Sequence, residues 1–98
     1  MFDKMKALVD MQKKMQELKR ELDNTDFEVQ SLDGSVKVTM NGSQEVKGIS
    51  IKGDLKEIEK ANLEKTIKDA YNIAIKRSQD IAAGKMKDIT GLNLPGLI

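Results

Sequence analysis

The sequence predicts an α+β fold of order α-β-β-β-α, with a three-stranded antiparallel meander between two long helices. Three observations carry that reading. Apolar residues recur at helical spacing from residue 3 to about 23, and again from 62 to 90. Between these stretches, three short runs alternate apolar with polar residues and are separated by Asp33-Gly34 and Asn41-Gly42. No linker or low-complexity stretch divides the 98 residues, so they read as one domain, 1–98.

The first helix carries a heptad pattern. With Met1 at position a, the a and d positions are Met1, Lys4, Leu8, Met11, Met15, Leu18 and Leu22, and only Lys4 among them is polar. Asp3 suits the positive end of the helix dipole, and Asp23, Asn24 and Thr25 compete for backbone hydrogen bonds and end the helix. A Met-rich row can also serve as an adaptable binding surface. Its regular spacing favours a core or a dimer seam, to which Leu8, Met11, Met15, Leu18 and Leu22 are assigned.

The strands are expected at about 26–32, 35–41 and 45–52. Phe27 and Val29 alternate with Glu28 and Gln30, and Val36, Val38 and Met40 with Lys37 and Thr39. In the third strand Val46 has one parity and Ile49 and Ile51 the other, with Gly48 between, which predicts a β-bulge. One face of this sheet is apolar and needs a cover. Asn41-Gly42-Ser43 fits a glycosylation pattern but is read as a turn.

Gly53-Asp54 leads into a helical turn at 55–60, and Asn62 is the expected N-cap of a helix running from 62 to 90. Leu63, Ile67, Ala70, Tyr71, Ala74, Ile75, Ile81, Ala82, Met86 and Ile89 spread over about 160° of that helix, enough to meet two partners. Ile67, Ala74 and Ile81 are assigned to core or seam, and Phe27 and Tyr71 to the core. Ala70, Ile81 and Leu92 are 11 apart, as are Lys65, Lys76 and Lys87, which argues for a nearly straight helix. Gly91 is the expected C-cap, and the apolar tail 91–98 is expected to dock.

Composition narrows the function. Aromatics are 3% of the chain, so its core must come from Leu, Ile, Val and Met, and a core this thin favours a homodimer. There is no Cys and no His, which removes thiolate metal sites and the commonest general base and metal ligand. No enzyme, metal, cofactor or small-molecule substrate is expected. No stretch has the apolar length of a signal peptide or a membrane span, and the protein is expected in the cytoplasm without membrane contact. Net charge is +1. Residues 1–24 hold six basic and five acidic groups, 25–53 three and four, and 54–98 eight and seven, so no basic arm stands out.

The wording of the segments is more specific. Met11-Gln12-Lys13-Lys14-Met15-Gln16, Val36-Lys37-Val38-Thr39-Met40-Asn41-Gly42, Ala70-Tyr71-Asn72-Ile73-Ala74, Lys85-Met86 and Thr90-Gly91-Leu92-Asn93-Leu94-Pro95-Gly96-Leu97 resemble the YbaB/EbfC nucleoid-associated proteins along nearly the whole chain. The chain departs from them in its glycine-poor Asp33-Gly34 turn, in Ile73 where an acidic residue is usual, and in a single glycine near the end. The resemblance implies a tweezer-shaped homodimer that binds double-stranded DNA with modest sequence preference. It also implies a role in chromosome organisation or gene regulation in the bacterial nucleoid, without cofactor or catalysis.

DNA binding would rest on Lys and Arg contacts to phosphate. Lys6, Lys13 and Arg20 are seven apart opposite the Met/Leu stripe, but Asp10 and Glu17 lie at i+4 from the two lysines and can pair with them. Lys65–Asp69 and Lys76–Asp80 repeat that spacing. Lys4 and Lys87 have no carboxylate three or four positions away, Lys76 and Arg77 share only Asp80, and Lys85 interrupts the apolar stripe near Asp88. The candidate phosphate contacts are Lys4, Lys13, Lys14, Lys76, Arg77, Lys85 and Lys87. The rival reading is a helical protein–protein adaptor that ignores DNA, which the near-zero charge favours.

Overall fold

Six elements follow one another in a computed structural model, which describes residues 2–91: α1 (Phe2–Asp23), β1 (Asp26–Gln30), β2 (Val36–Asn41), β3 (Val46–Ile51), a 3-10 turn (Leu55–Glu57) and α2 (Lys60–Thr90). The α+β class and the α-β-β-β-α order are those the periodicities predict. Met1 of the heptad row and the docking of 92–98 lie outside the described residues.

The sheet runs β1-β2-β3 and is antiparallel throughout. Val29 pairs with Val38 and Phe27 with Met40, so the odd positions of β1 share a face with the even ones of β2. In β3, Gly48 pairs with Thr39 but Val46 with Met40, leaving Lys47 as the extra residue of a bulge. That inserted residue reverses the parity. Val46, Ile49 and Ile51 therefore all join the face of Val36, Val38 and Met40.

The long helix α2 packs on this face, mainly over β2 and β1. Ala70 and Ala74, with no side chain beyond Cβ, let the helix approach closely and are fully buried with Val36, Val38 and Met40. Val29 completes this core, and Phe27, Leu63, Ile67 and Ile75 pack at its margin. All six residues of β3 remain exposed, including Val46, Ile49 and Ile51. Tyr71 is also exposed, against expectation, because it lies about 100° round the helix from Ala70 and past the sheet-facing stripe.

A buried polar joint ties α1, β2 and α2 together. Gly42 N–H donates to the carbonyls of Leu22 and Thr25, both at 3.0 Å. The buried Asn41 accepts from the Ser43 and Glu45 N–H groups through Oδ1, and its Nδ2 donates to the Asp23 carbonyl. From α2 the buried Ser78 hydroxyl reaches the carbonyls of Asn41 and Gly42, at 3.1 and 3.0 Å. A Cβ on Gly42 would sit 2.8 Å from Leu22 Cδ2 and 3.2 Å from its Cα, so no larger residue fits without movement.

Beyond this joint, α1 turns back along the C-terminal half of α2. Leu18 is buried and Met15 and Leu22 half-buried against the half-buried row Ile81, Ala82, Lys85, Met86 and Ile89. The two helices run antiparallel, with Glu21 and Lys85 3.9 Å apart. Counting from that pair at 1.5 Å per residue, α1 outruns α2 by about 20 Å. Added to roughly 46 Å for α2, this accounts for the 67 Å long axis of a body only 22 × 16 Å across.

Element ends differ from expectation where local hydrogen bonds intervene. The strand expected to reach residue 32 stops at Gln30, because Ser31 and Ser35 both bond the Asp33 carboxylate and build a loop around Gly34 at φ 76°. Asp54 caps the 3-10 turn by accepting from Lys56 N–H. The second helix begins at Lys60 with Glu59 as N-cap and no side-chain cap, so Asn62 lies inside it. Its exposed first turn can leave those N–H groups to water, and no capping side chain is required. Gly91, at φ 72°, closes the helix by donating to the Lys87 carbonyl.

Candidate nucleic-acid interface

Helical geometry sets out the cations in rows. On α1, Lys6, Lys13 and Arg20 repeat every seven residues and point away from α2, opposite the buried stripe. Lys13, Gln16, Glu17 and Arg20 line a shallow groove there. On α2, Lys65, Lys76 and Lys87 repeat every 11 residues on the outward side, and Arg77 lies on its flank. Ala83 and Gly84 are exposed between Arg77 and Lys87, with open space around Gly84. The outward side of α2 is low in relief where its cations are densest.

The i,i+4 pairs expected to neutralise these rows do not close. Among the described residues the ion pairs within 4.0 Å are Lys19–Asp23, Lys37–Glu28, Lys47–Glu45 and Lys85–Glu21. Lys6–Asp10, Lys13–Glu17, Lys65–Asp69 and Lys76–Asp80 are not among them, and each of these side chains stays exposed. Exposed pairs gain little over hydration, so helical spacing alone does not hold them shut. Lys4, Lys13, Lys14, Lys76, Arg77 and Lys87 are thus exposed without an ion pair at that distance. Lys85 differs. Its half-buried side chain points into the α1–α2 seam toward Glu21.

The two rows are not brought together within the chain. Each lies on the side of its helix away from the shared seam, so they flank the helix pair on opposite sides. The apolar assignments also divide: Leu18 and Ala74 are buried and Met15, Leu22, Ile67 and Ile81 half-buried, whereas Leu8 is 71% and Met11 44% exposed. The β-bulge expected beside Gly48 is present and brings Val46 onto one face with Ile49 and Ile51. The Gly48 phase change carried the information needed to align them. What sequence reasoning missed is that α2 leaves this row exposed.

Shifted carboxylates are structural. Hydrogen bonds from the Ser31 hydroxyl, then from the Ser35 N–H and hydroxyl, hold the Asp33 carboxyl down at about 2. Asp23 is lowered by the Ser43 hydroxyl at 2.5 Å and by Lys19. Among the described residues no cluster of three or more His, Cys, Asp or Glu could hold a metal. No helix among them is long and apolar enough to cross a membrane.

These elements define a class of small α+β modules in which two long helices flank a three-stranded sheet and carry exposed lysines and arginines. The chain belongs to the YbaB/EbfC DNA-binding family, whose model matches residues 1–93. It is 34% identical over 88 residues to a nucleoid-associated protein of Clostridium acetobutylicum, covering 88% of this chain and 79% of that one. It is also 34% identical over 95 residues to a nucleoid-associated protein of Clostridium kluyveri, covering 95% of this chain and 83% of the relative.

Proposed function

We propose that the protein binds duplex DNA in the nucleoid as a homodimer, through exposed lysines and arginines on its helices, and that it catalyses no reaction. Membership of a DNA-binding family supplies the ligand class. The observation that carries the surface is the outward side of α2, where Lys76, Arg77 and Lys87 are exposed without ion pairs beside Ala83 and Gly84. A phosphate backbone can approach there across Ala83 and Gly84, with the exposed Asp80 lying between the cations. Lys4, Lys13 and Lys14 on α1 form the second set, and Lys85 can join only by leaving Glu21. Each phosphate contact releases counterions, so binding is salt-sensitive and only loosely selective for sequence.

The homodimer rests on β3. Its apolar row shares the core face but stays exposed, and among the described residues its outer edge has no strand partner. An open apolar edge of this kind recruits another chain, and a second copy would complete the core and double the cations. Light scattering should give twice the 10.9 kDa chain mass at micromolar concentration. Polarisation with random duplex tests the binding. The exposed β3 row equally suits a protein adaptor, and absence of duplex binding at low salt would favour that reading.

A further inference from the structure

The heptad row of α1 is only half used. Leu22, Leu18 and Met15 pack against α2, but Met11, Leu8 and Met5 continue the same side and are 44%, 71% and 65% exposed. The cause is the register. With Glu21 level with Lys85, each step up α2 is matched by one step down α1, so Gly91 lies level with Met15. Residues 2–14, about 20 Å of α1, then run past the end of α2.

We infer that this projecting end pairs antiparallel with the same segment of a second copy, centred on Leu8. Length supports a second copy. Residues 2–14 have Leu8 at their midpoint, so two such ends overlap fully, and each incoming helix takes up the line that α2 leaves. It runs in the direction of α2, so its positive N-terminus follows the negative C-terminus of α2. Charge selects the antiparallel direction. Centring on Leu8 brings Met5 level with Met11, Asp3 with Lys13, Lys6 with Asp10, and Lys4, at the margin of the row, with Gln12. A parallel pair would set every charge level with its like, and Lys4 against Lys4 beside the seam.

The copy on α1 differs from the copy proposed on β3. Leu8 is 14 residues from Leu22, where α1 is tied to the sheet through Gly42. Antiparallel overlap therefore holds the two Leu22–Gly42 joints about 42 Å apart, each with its sheet at the far end. The pairing is independent of DNA binding and of β3. Taken with the β3 homodimer, on which this consequence rests, it joins dimers end to end. The row is small against the roughly 800 Å² per partner of a stable interface, so the contact is weak in solution and strengthens where a duplex holds dimers close.

The chain has no Cys, so single sites can be introduced. Leu8→Cys changes an exposed side chain and should leave the fold intact. It should oxidise to a disulfide between copies at least about tenfold faster than Lys6→Cys, an exposed site on the side away from the row. The preference should persist in the Ile49→Asp background, which separates it from the β3 contact. Chains with Met5→Cys, mixed with chains with Met11→Cys, should link to each other ahead of their own kind. Equal rates for Leu8→Cys and Lys6→Cys would overturn the inference, and are what a row covered by its own chain or by another protein would give. Loss of the preference with Ile49→Asp would place the contact inside the β3 dimer and overturn it too. Links mainly between like chains in the mixture would overturn the antiparallel register.

Discussion

Single residues at the Asn41–Gly42 joint act through space and hydrogen bonding. The Gly42 backbone is ordinary, and its constraint is the Leu22 backbone 3.2 Å from any added Cβ. Gly42→Ala should cost about 1–3 kcal/mol by overpacking, read as a lower urea midpoint at unchanged slope. Ser78→Ala removes the buried donor to two carbonyls and should cost about 1–3 kcal/mol in the same assay. Neither role was legible in the sequence. Ser78 is 37 positions from Asn41, and only packing shows that its hydroxyl lands there. The sequence marks Asn41 as a turn residue, and its buried amide also anchors the end of α1 through the Asp23 carbonyl. Asp33 predicts a pH effect. Its folded carboxyl at about 2 lies below the ordinary 3.8, so its contribution is full above 3.8 and lost as pH falls through about 2. Asp33→Asn should therefore be less stable than wild type above pH 3.8, and the two should converge toward pH 2 in denaturation followed by circular dichroism.

The elements were legible wherever one period held over several turns. Both helices, the three strands and the Gly91 cap follow from spacing and from the steric freedom of glycine. Ends were less legible, because loop hydrogen bonds around Asp33 and an uncapped first turn at Glu59 decide them locally. The cations were partly legible. Their rows follow from helical geometry, but whether an i,i+4 pair closes depends on solvation at that surface, and here Lys19–Asp23 closes where Lys13–Glu17 does not. The place of Lys85 in the stripe makes it a candidate DNA contact, and only the α1–α2 seam shows its ammonium 3.9 Å from Glu21. The seam itself yields a prediction. Leu18, buried between the helices, should not tolerate a charge, and Leu18→Asp should unfold or aggregate the protein by gel filtration and circular dichroism. A variant of wild-type stability would remove that seam from the account.

At the scale of the whole molecule, the chain is a small sheet-and-helix body with a long arm. A 67 Å chain of 98 residues with an uncovered apolar strand has too little interior for its apolar surface, which is why a second copy is proposed on β3. Ile49→Asp places a charge in that face and should give monomers by light scattering, whereas a persistent dimer would move the interface elsewhere. Overall charge says little about DNA, because at about 0.1 M salt fields fade over roughly 10 Å and a duplex senses only the nearest row. The rows of α1 and α2 flank the helix pair on opposite sides, so the account commits to α2. The most direct test is duplex affinity against salt for wild type and for Lys76→Ala, Arg77→Ala, Lys87→Ala together. The triple variant should keep the dimer, bind every duplex more weakly, and lose about 0.9 from the slope of log affinity on log salt for each phosphate contact removed. Equal affinity with an unchanged slope would contradict the account and leave α1 as the remaining surface.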